Sequence, residues 1–478
     1  MSKTLLRLAT RAACLTTLLA AGAWTASTPV VAQDSHYWSE QYGTRSALLG
    51  GAMIGSVRDL SAVYYNPGAL ALYRDAGFLL SARVYRASNF TLENAAGEGS
   101  DLGSSSTRPI ATFLATPLEF GFLGDHVLVY SVLTRQQMGL DISSYQITQD
   151  DVFDTPGPED IAGAYNGSTA LRETWTGLAW AYPLTENLGI GAAPYLAIRS
   201  HEIRSELLLQ AATSANDVAI ATRLRSRRYK HYRFLTKLGL TYERGDVSLG
   251  VNATTPSISL LGDGRAVYNG SAASTDPDSL IVETPLLVSN VQSDLSSEFE
   301  SGWAVGAGLG WTLGGTRVHL SGEWFEGRDR FTVVDAEDFV PQTGGDPVDN
   351  DATFESVSIL NWGVGIEQDV GSTRVYLNLS TDNSAAADRA VEINDVTFTK
   401  YDLLRFGGGA SFRLGRADIM LGLGWARGKS PFVQLFDLGR FDPDLDPGEL
   451  ADIDLKLSQW SAVLGFEWTP ADSSDEER

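Results

Sequence analysis

From about residue 76 onward, apolar side chains recur at every second position over short stretches, the period of half-exposed β-strands. The clearest stretches are 188–198, 234–242, 247–253, 303–313, 360–366, 375–379, 404–414, 419–425 and 460–468. In the last of these Trp460, Ala462, Leu464, Phe466 and Trp468 form a continuous apolar face, with Ser461, Gly465 and Glu467 opposite. Such alternation suits a soluble sandwich as well as a barrel, and the connections separate the two. Links 183–187, 243–246, 314–315, 369–372 and 415–416 are tight, whereas 93–106, 141–168, 211–217, 335–351, 382–395 and 429–454 are long and polar. Short and long links alternate, as periplasmic turns and external loops do in a bacterial outer-membrane barrel. The expected fold is all-β: a transmembrane antiparallel β-barrel of about 14 strands over residues 76–469, both ends periplasmic. Its least defined strands are those near 109–118 and 127–139 and the one leading into Trp303.

Aromatic placement fits this reading. Trp180, Tyr182, Tyr242, Trp311, Phe412, Phe466 and Trp468 fall near the tight turns or the chain end, where an interfacial girdle sits, although each alone also suits an ordinary core. Segments 188–213 and 220–243 run to about twice the 9–11 residues that cross a bilayer, so the barrel should project beyond it. No stretch after residue 32 approaches the ~18 continuous apolar residues of a membrane helix, which excludes a helical membrane protein. A single Cys and 5 His against 48 Gly, 11 Trp, 17 Tyr and 19 Phe exclude cysteine metal sites, redox motifs and disulfide scaffolds.

Residues 1–32 read as a secretory signal peptide: Lys3, Arg7 and Arg11 precede an apolar run, and Val30-Val31-Ala32 offers a cleavage site. Cys14 lies inside it, so the mature chain would contain no thiol. Losing those three cations would make the formal charge still more negative than −23, which argues against a nucleic-acid partner. Residues 470–478 form an acidic periplasmic tail.

Residues 33–75 break the alternation. Tyr37, Trp38, Tyr42, Leu48, Leu49, Met53 and Val57 lie among Gly43, Gly50, Gly51 and Gly55, and Asn66-Pro67-Gly68 follows. This spacing predicts short helices broken by glycine and closed by an Asn-Pro-Gly turn, buried in the lumen as an N-terminal hatch. Here Gly43-Thr44-Arg45-Ser46-Ala47-Leu48-Leu49-Gly50-Gly51-Ala52 and Asp59-Leu60-Ser61-Ala62-Val63-Tyr64-Tyr65-Asn66-Pro67 resemble the hatch of the FadL-type outer-membrane transporters of long-chain fatty acids and other hydrophobic compounds. The family pattern continues Asn-Pro-Ala-Gly-Leu, whereas this chain has Asn66-Pro67-Gly68-Ala69-Leu70. The resemblance implies a fourteen-stranded barrel plugged by this segment. Relatives with the same signature include proteins tied to secretion, so the motif speaks to fold more than to cargo.

If the apolar parity faces lipid, the other faces a lumen. That rule turns Arg233 and Lys237 inward, continues to Arg223, Arg225, Arg227, Tyr229 and His231, and adds Tyr195, Arg199, His201, Arg317, His319, Arg374, Arg405 and Arg413. Inward carboxylates are fewer: Glu173, Glu243, Glu323, Glu367 and Glu467. Of these, Arg199, His201, Arg223, Arg225, Arg233, Lys237, Arg317 and Arg405 are the candidate ligand-binding set for an amphipathic anion. The alternative is that inward Arg and Glu simply neutralise one another. The external link after residue 429 carries Phe432, Leu435, Phe436 and Phe441, an apolar cluster that either captures ligand or packs over the barrel mouth. Acids cluster in other links: Asp150, Asp151, Asp154, Glu159 and Asp160; Asp335, Glu337, Asp338, Asp346, Asp349 and Asp351; Asp442, Asp444, Asp446 and Glu449. They suit solvated loops, or cations bridging to lipopolysaccharide phosphates, and no metal site is assigned.

No nucleophile elbow, Walker loop or zinc spacing is present, so neither catalysis nor a cofactor is expected. The reading that follows is passive outer-membrane transport of long-chain fatty acids or other hydrophobic and amphipathic molecules by a monomer gated by its hatch, in contact with outer-membrane lipid and lipopolysaccharide. The alternatives are a structural or secretion-linked barrel with a protein partner, and a general porin.

Overall fold

A computed structural model describes residues 35–73, 78–92, 101–118, 120, 124–150, 157–213, 217–275, 285–387, 401–414, 417–433 and 452–468. The leader and the acidic tail lie outside them, as do Asp151, Asp154, Leu435, Phe436 and Phe441. Strands in chain order are β1 (Phe78–Leu92), β2 (Leu102–Pro117), β3 (Val127–Asp150), β4 (Glu159–Thr185), β5 (Leu188–Ala212), β6 (Val218–Arg244), β7 (Val247–Thr254), β8 (Ile258–Ser274) and β9 (Leu286–Leu295). They continue as β10 (Ala304–Leu313), β11 (Thr316–Phe325), β12 (Arg328–Val334), β13 (Ala352–Ser356), β14 (Ile359–Val370), β15 (Thr373–Asp382), β16 (Asp402–Leu414), β17 (Ala417–Val433) and β18 (Asp452–Trp468).

Hydrogen-bonded neighbours run from β1 through β2, β3, β4, β5, β6, β7, β10, β11, β14, β15, β16, β17 and β18, and back to β1. Every pairing is antiparallel, and the ring of fourteen strands is closed. Among the described residues four more strands lie outside it: β8 and β9 form a hairpin beside β6, and β12 and β13 pair separately. β6 serves two partners, pairing with β7 from Lys237 to Arg244 and with β8 from Ala219 to Phe234. The change falls at residues 255–257, where Pro256 has no N–H to extend a ladder. Links 141–168 and 429–454 are shorter than expected, because β3 and β4 reach Asp150 and Glu159 and β17 runs to Val433. Above the membrane these strands mix polar and apolar residues on both faces, with Ser143, Tyr145 and Ile147 on one and Ile142, Ser144 and Gln146 on the other, so hydrophobic alternation does not reveal them. Asp150, Glu159 and Asp160 are therefore strand residues.

Outward positions are apolar and exposed: Phe234, Leu238, Leu240 and Tyr242 on β6, Leu249 and Val251 on β7, Leu360, Trp362 and Ile366 on β14. Tyr242, Trp311 and Phe412 stand exposed beside the tight turns, and Trp180 and Tyr182 are half-buried. Gly245 and Gly314 close two-residue hairpins at φ +58° and +62°, as the strand twist requires. An outward belt of this kind lets a closed ring lie in a bilayer with all its backbone groups paired.

Residues 35–73 fill the ring. Helices α1 (Thr44–Leu48) and α2 (Ala62–Tyr65) and a 3-10 turn (Pro67–Ala71) are short and almost wholly buried. Tyr42, Leu48, Leu49, Met53, Val63 and Leu70 pack in one core with Phe113, Trp175, Tyr195, Leu235, Tyr376 and Met420 from the inner wall. Asn66 organises the turn: its Nδ2 donates to the carbonyls of Ile54 (3.1 Å) and Leu240 (2.9 Å), and its Oδ1 accepts from the Gly68 amide (3.2 Å). A Cβ at Gly68 would meet the carbonyl oxygens of Gly189 and Gly239 at 2.7 and 2.8 Å, which explains glycine in that place. Gly50 (φ +62°) lies against Asn378, whose Nδ2 donates to the Leu48 carbonyl, and Gly51 (φ +80°) abuts Gln41.

Gly239→Val places a branched side chain against Asn66 and Pro67. The expected outcome is a ring that still folds, seen as heat-modifiable gel mobility, with new protease cleavage inside residues 35–73. Continued protection of that segment would count against the packing described.

Candidate functional site

Midway up the interior, above α2, inward side chains of several strands converge. Glu173 of β4 accepts from Arg199 Nη1 of β5 at 2.9 Å, from Arg233 Nη2 of β6 at 2.6 Å and from the Trp175 indole at 2.6 Å. Arg199 Nε also donates to the Tyr229 hydroxyl at 2.9 Å. Glu323 of β11 accepts from Lys237 Nζ and from the Trp38 indole, both at 2.9 Å. Arg135 of β3 donates to the Tyr37 carbonyl at 2.6 Å, with its guanidinium 5.4–5.6 Å from the rings of Tyr37, Tyr64 and Trp175. After β9 the chain turns inward over 296–303, setting the Phe299 ring 3.8 Å from Arg199 and 4.8 Å from Arg233.

These groups border a cavity lined by Tyr37, Tyr64, Trp175, Phe299, Trp303 and Phe325, together with Arg135, Arg233, Lys237, Glu173 and Glu323. The half-buried Glu326 also lines it, so three cations and three carboxylates border the cavity, and Arg199 stands behind Glu173. Nε and Nη1 of Arg233 are buried and make no hydrogen bond. A buried donor left without an acceptor is costly; Arg225 Nε and Nη1 and Arg317 Nε are likewise without one.

The remaining predicted residues have other surroundings. His201 is buried with its Nε2 3.0 Å from Thr169 Oγ1 and its ring edge-on to Tyr229. Arg317 donates to Ser248 Oγ at 3.0 Å, below the cavity. Arg405 is committed to the N-terminal segment, donating to the Trp38 carbonyl and pairing with Asp382 at 2.7 Å. The same segment is tied by Arg45 to Glu367 at 2.6 Å and by Arg86 to Glu40 at 2.6 Å. Arg374 is half-exposed near the periplasmic turn, 2.8 Å from Asp369. Arg223, Arg225 and Arg227 stand higher on β6: Arg225 lies 4.5 Å from the Tyr268 ring and Arg227 donates to the Asn350 carbonyl at 3.3 Å. They belong to the barrel mouth, where residues 335–351 pass across. Burial there, reinforced by Asp349, Asp335 and Asp338, raises the Asp351 carboxyl above its ordinary range. Phe432 lies in β17, and the rest of its apolar cluster is outside the described residues.

Sequence parity missed Arg135. At a register shift between Thr134 and Gln136 the four consecutive residues 133–136 are all buried, so alternation fails at that point. It also missed Phe299, which lies in the inward excursion rather than on a strand.

The sequence matches no protein-family model, and no curated protein matches it. Solved structures do. A Pseudomonas aeruginosa FadL homologue covers 92% of this chain with all of its own, at 12% identity and a TM-score of 0.54. The P. putida toluene transporter TodX covers 90% with 99% of its own length, at 15% identity and a TM-score of 0.56. The chain has the FadL-type fold. The monoaromatic hydrocarbon channel CymD, at 14% identity, covers 90% of it with a TM-score of 0.54. The FadL-type barrel is an outer-membrane architecture, and the solved chains it resembles here are channels and transporters, not enzymes.

Glu173→Gln would leave Arg199 and Arg233 facing each other in the interior, and a broken buried pair of this kind costs about 3 kcal/mol or more. Urea unfolding of the reconstituted barrel should show that loss. Glu206→Gln, which breaks the exposed 3.4 Å pair with Arg204, should change stability by less than about 1 kcal/mol.

Proposed function

We propose that this barrel passively carries hydrophobic molecules with an anionic head, long-chain fatty acids among them, across the outer membrane. The observation that carries the reading is the set of buried cations, Arg135, Arg233 and Lys237, set among the aromatic rings of one cavity, with two Arg233 donors lacking an acceptor. A carboxylate head supplies that acceptor through charge-assisted hydrogen bonds. Tyr37, Tyr64, Trp175, Phe299, Trp303 and Phe325 hold the tail. TodX and CymD are described by toluene and monoaromatic hydrocarbon, which are uncharged; the basic wall here favours an amphipathic cargo instead. The filled interior speaks against a water-filled porin.

Residues 35–73 act as the hatch. Glu323 holds Lys237 of the wall and Trp38 of the hatch together, so a cargo head that draws Lys237 away weakens the grip on Trp38. Binding is thereby coupled to hatch release, because cargo has different affinity for the seated and the shifted state.

Mass spectrometry of the purified protein should find a co-purified amphipathic anion. Arg233→Gln is expected to weaken binding of a long-chain carboxylate about tenfold, the loss of one charged hydrogen bond, and to leave toluene binding nearly unchanged. Equal weakening of both ligands would remove the carboxylate role, and unchanged uptake of all such compounds in a deletion strain would remove the transport reading.

A further inference from the structure

The outward face holds a second site, independent of the transport reading. On β5 and β6 the apolar face begins at the registered pair Leu188 and Tyr242 and ends at Ile198 and Tyr232, about the length that crosses a bilayer. The row above it, across four adjacent strands, is Arg172, Ser200, Lys230 and Asp263; the next is Ala170, Glu202, Arg228 and Arg265; the third contains Arg204. All five cationic residues are exposed. At about 4.8 Å between strands and about 7 Å between alternate residues, they occupy a patch roughly 14 Å on a side. It faces away from the turns at 186–187 and 245–246, so it lies on the extracellular side of the lipid belt.

Two features mark this patch as made for an anion. Arg228 and Arg265 are direct cross-strand partners, an arrangement of like charges that is unfavourable unless something negative bridges them. Among the described residues Arg172, Lys230, Arg228 and Arg265 form no ion pair, and only Arg204 has one, with Glu206. Glu202 and Asp263 leave the cations in excess, on a chain whose formal charge is −23. The patch is also continuous with the lipid-facing surface, where Leu261 directly below is 62% exposed. A ligand with acyl chains against Leu261 and Tyr232 and phosphates at the guanidinium level meets both surfaces at once, and arginine forks suit phosphate.

We propose that this face binds the phosphorylated glycolipid of the outer leaflet, lipopolysaccharide, through its phosphates. The test titrates the detergent-solubilised full chain with purified lipopolysaccharide, its dephosphorylated form, phosphatidylglycerol micelles and inorganic phosphate, reading bound adducts by native mass spectrometry. Wild-type protein should prefer intact lipopolysaccharide over all three comparators. Arg228→Gln/Lys230→Gln/Arg265→Gln should bind it about a hundredfold more weakly, since each cation at an anionic lipid surface contributes roughly fivefold. Arg265→Gln alone, on a strand outside the closed ring, should lose about fivefold with unaltered heat-modifiable mobility. Arg244→Gln, at the opposite end of β6, should bind as wild type. Equal binding by dephosphorylated lipopolysaccharide, or wild-type binding by the Arg265→Gln and triple variants, would overturn the proposal.

Discussion

Backbone amides and carbonyls have no partner in hydrocarbon, so a chain of strands can enter a bilayer only as a ring with no free edge. Closure between β1 and β18 at one point and β5 and β6 at another meets that requirement. Once the ring is closed, strand pleat leaves no freedom over which side chains meet lipid, because alternate residues must point in opposite directions. The greasy belt, the basic row above it and the enclosed charges all follow from this one geometric condition.

Inside, the wall and residues 35–73 are fitted to one another at two kinds of contact. Glycines at 189, 191 and 239 let backbone approach backbone at the Asn-Pro-Gly turn. Carboxylates are the other fastening: Glu367, Asp382 and Glu323 each hold a group from that segment or a cation bonded to it. Most interior cations are satisfied in this way, so neutralisation explains Arg45, Arg86 and Arg405. The wall around Phe299 differs in placing its cations among aromatic rings, with two Arg233 donors open.

The outward and inward faces were legible in the sequence wherever one face met lipid, because lipid imposes a strict apolar period. Phe234, Leu238, Leu240, Tyr242, Arg233 and Lys237 all stand where parity put them. Legibility stopped where lipid did. The extensions of β3, β4 and β17 above the membrane carry no continuous apolar face, and β8, β9, β12 and β13 gave no lipid-driven signal. Arg135 was hidden by a local register shift and Phe299 by an excursion from the wall. Pairing partners such as Glu173 for Arg199, or Asp382 for Arg405, depend on contacts between distant strands that no local spacing encodes.

The division of β6 between β7 and β8 has an architectural corollary. Circumference is fixed by the strands that share the lower half of β6, whereas the tower outside the membrane is built on its upper half. The extracellular portion can therefore lengthen, shorten or change its surface by whole residue pairs without altering the diameter of the barrel wall, giving one fixed girth a renewable exterior.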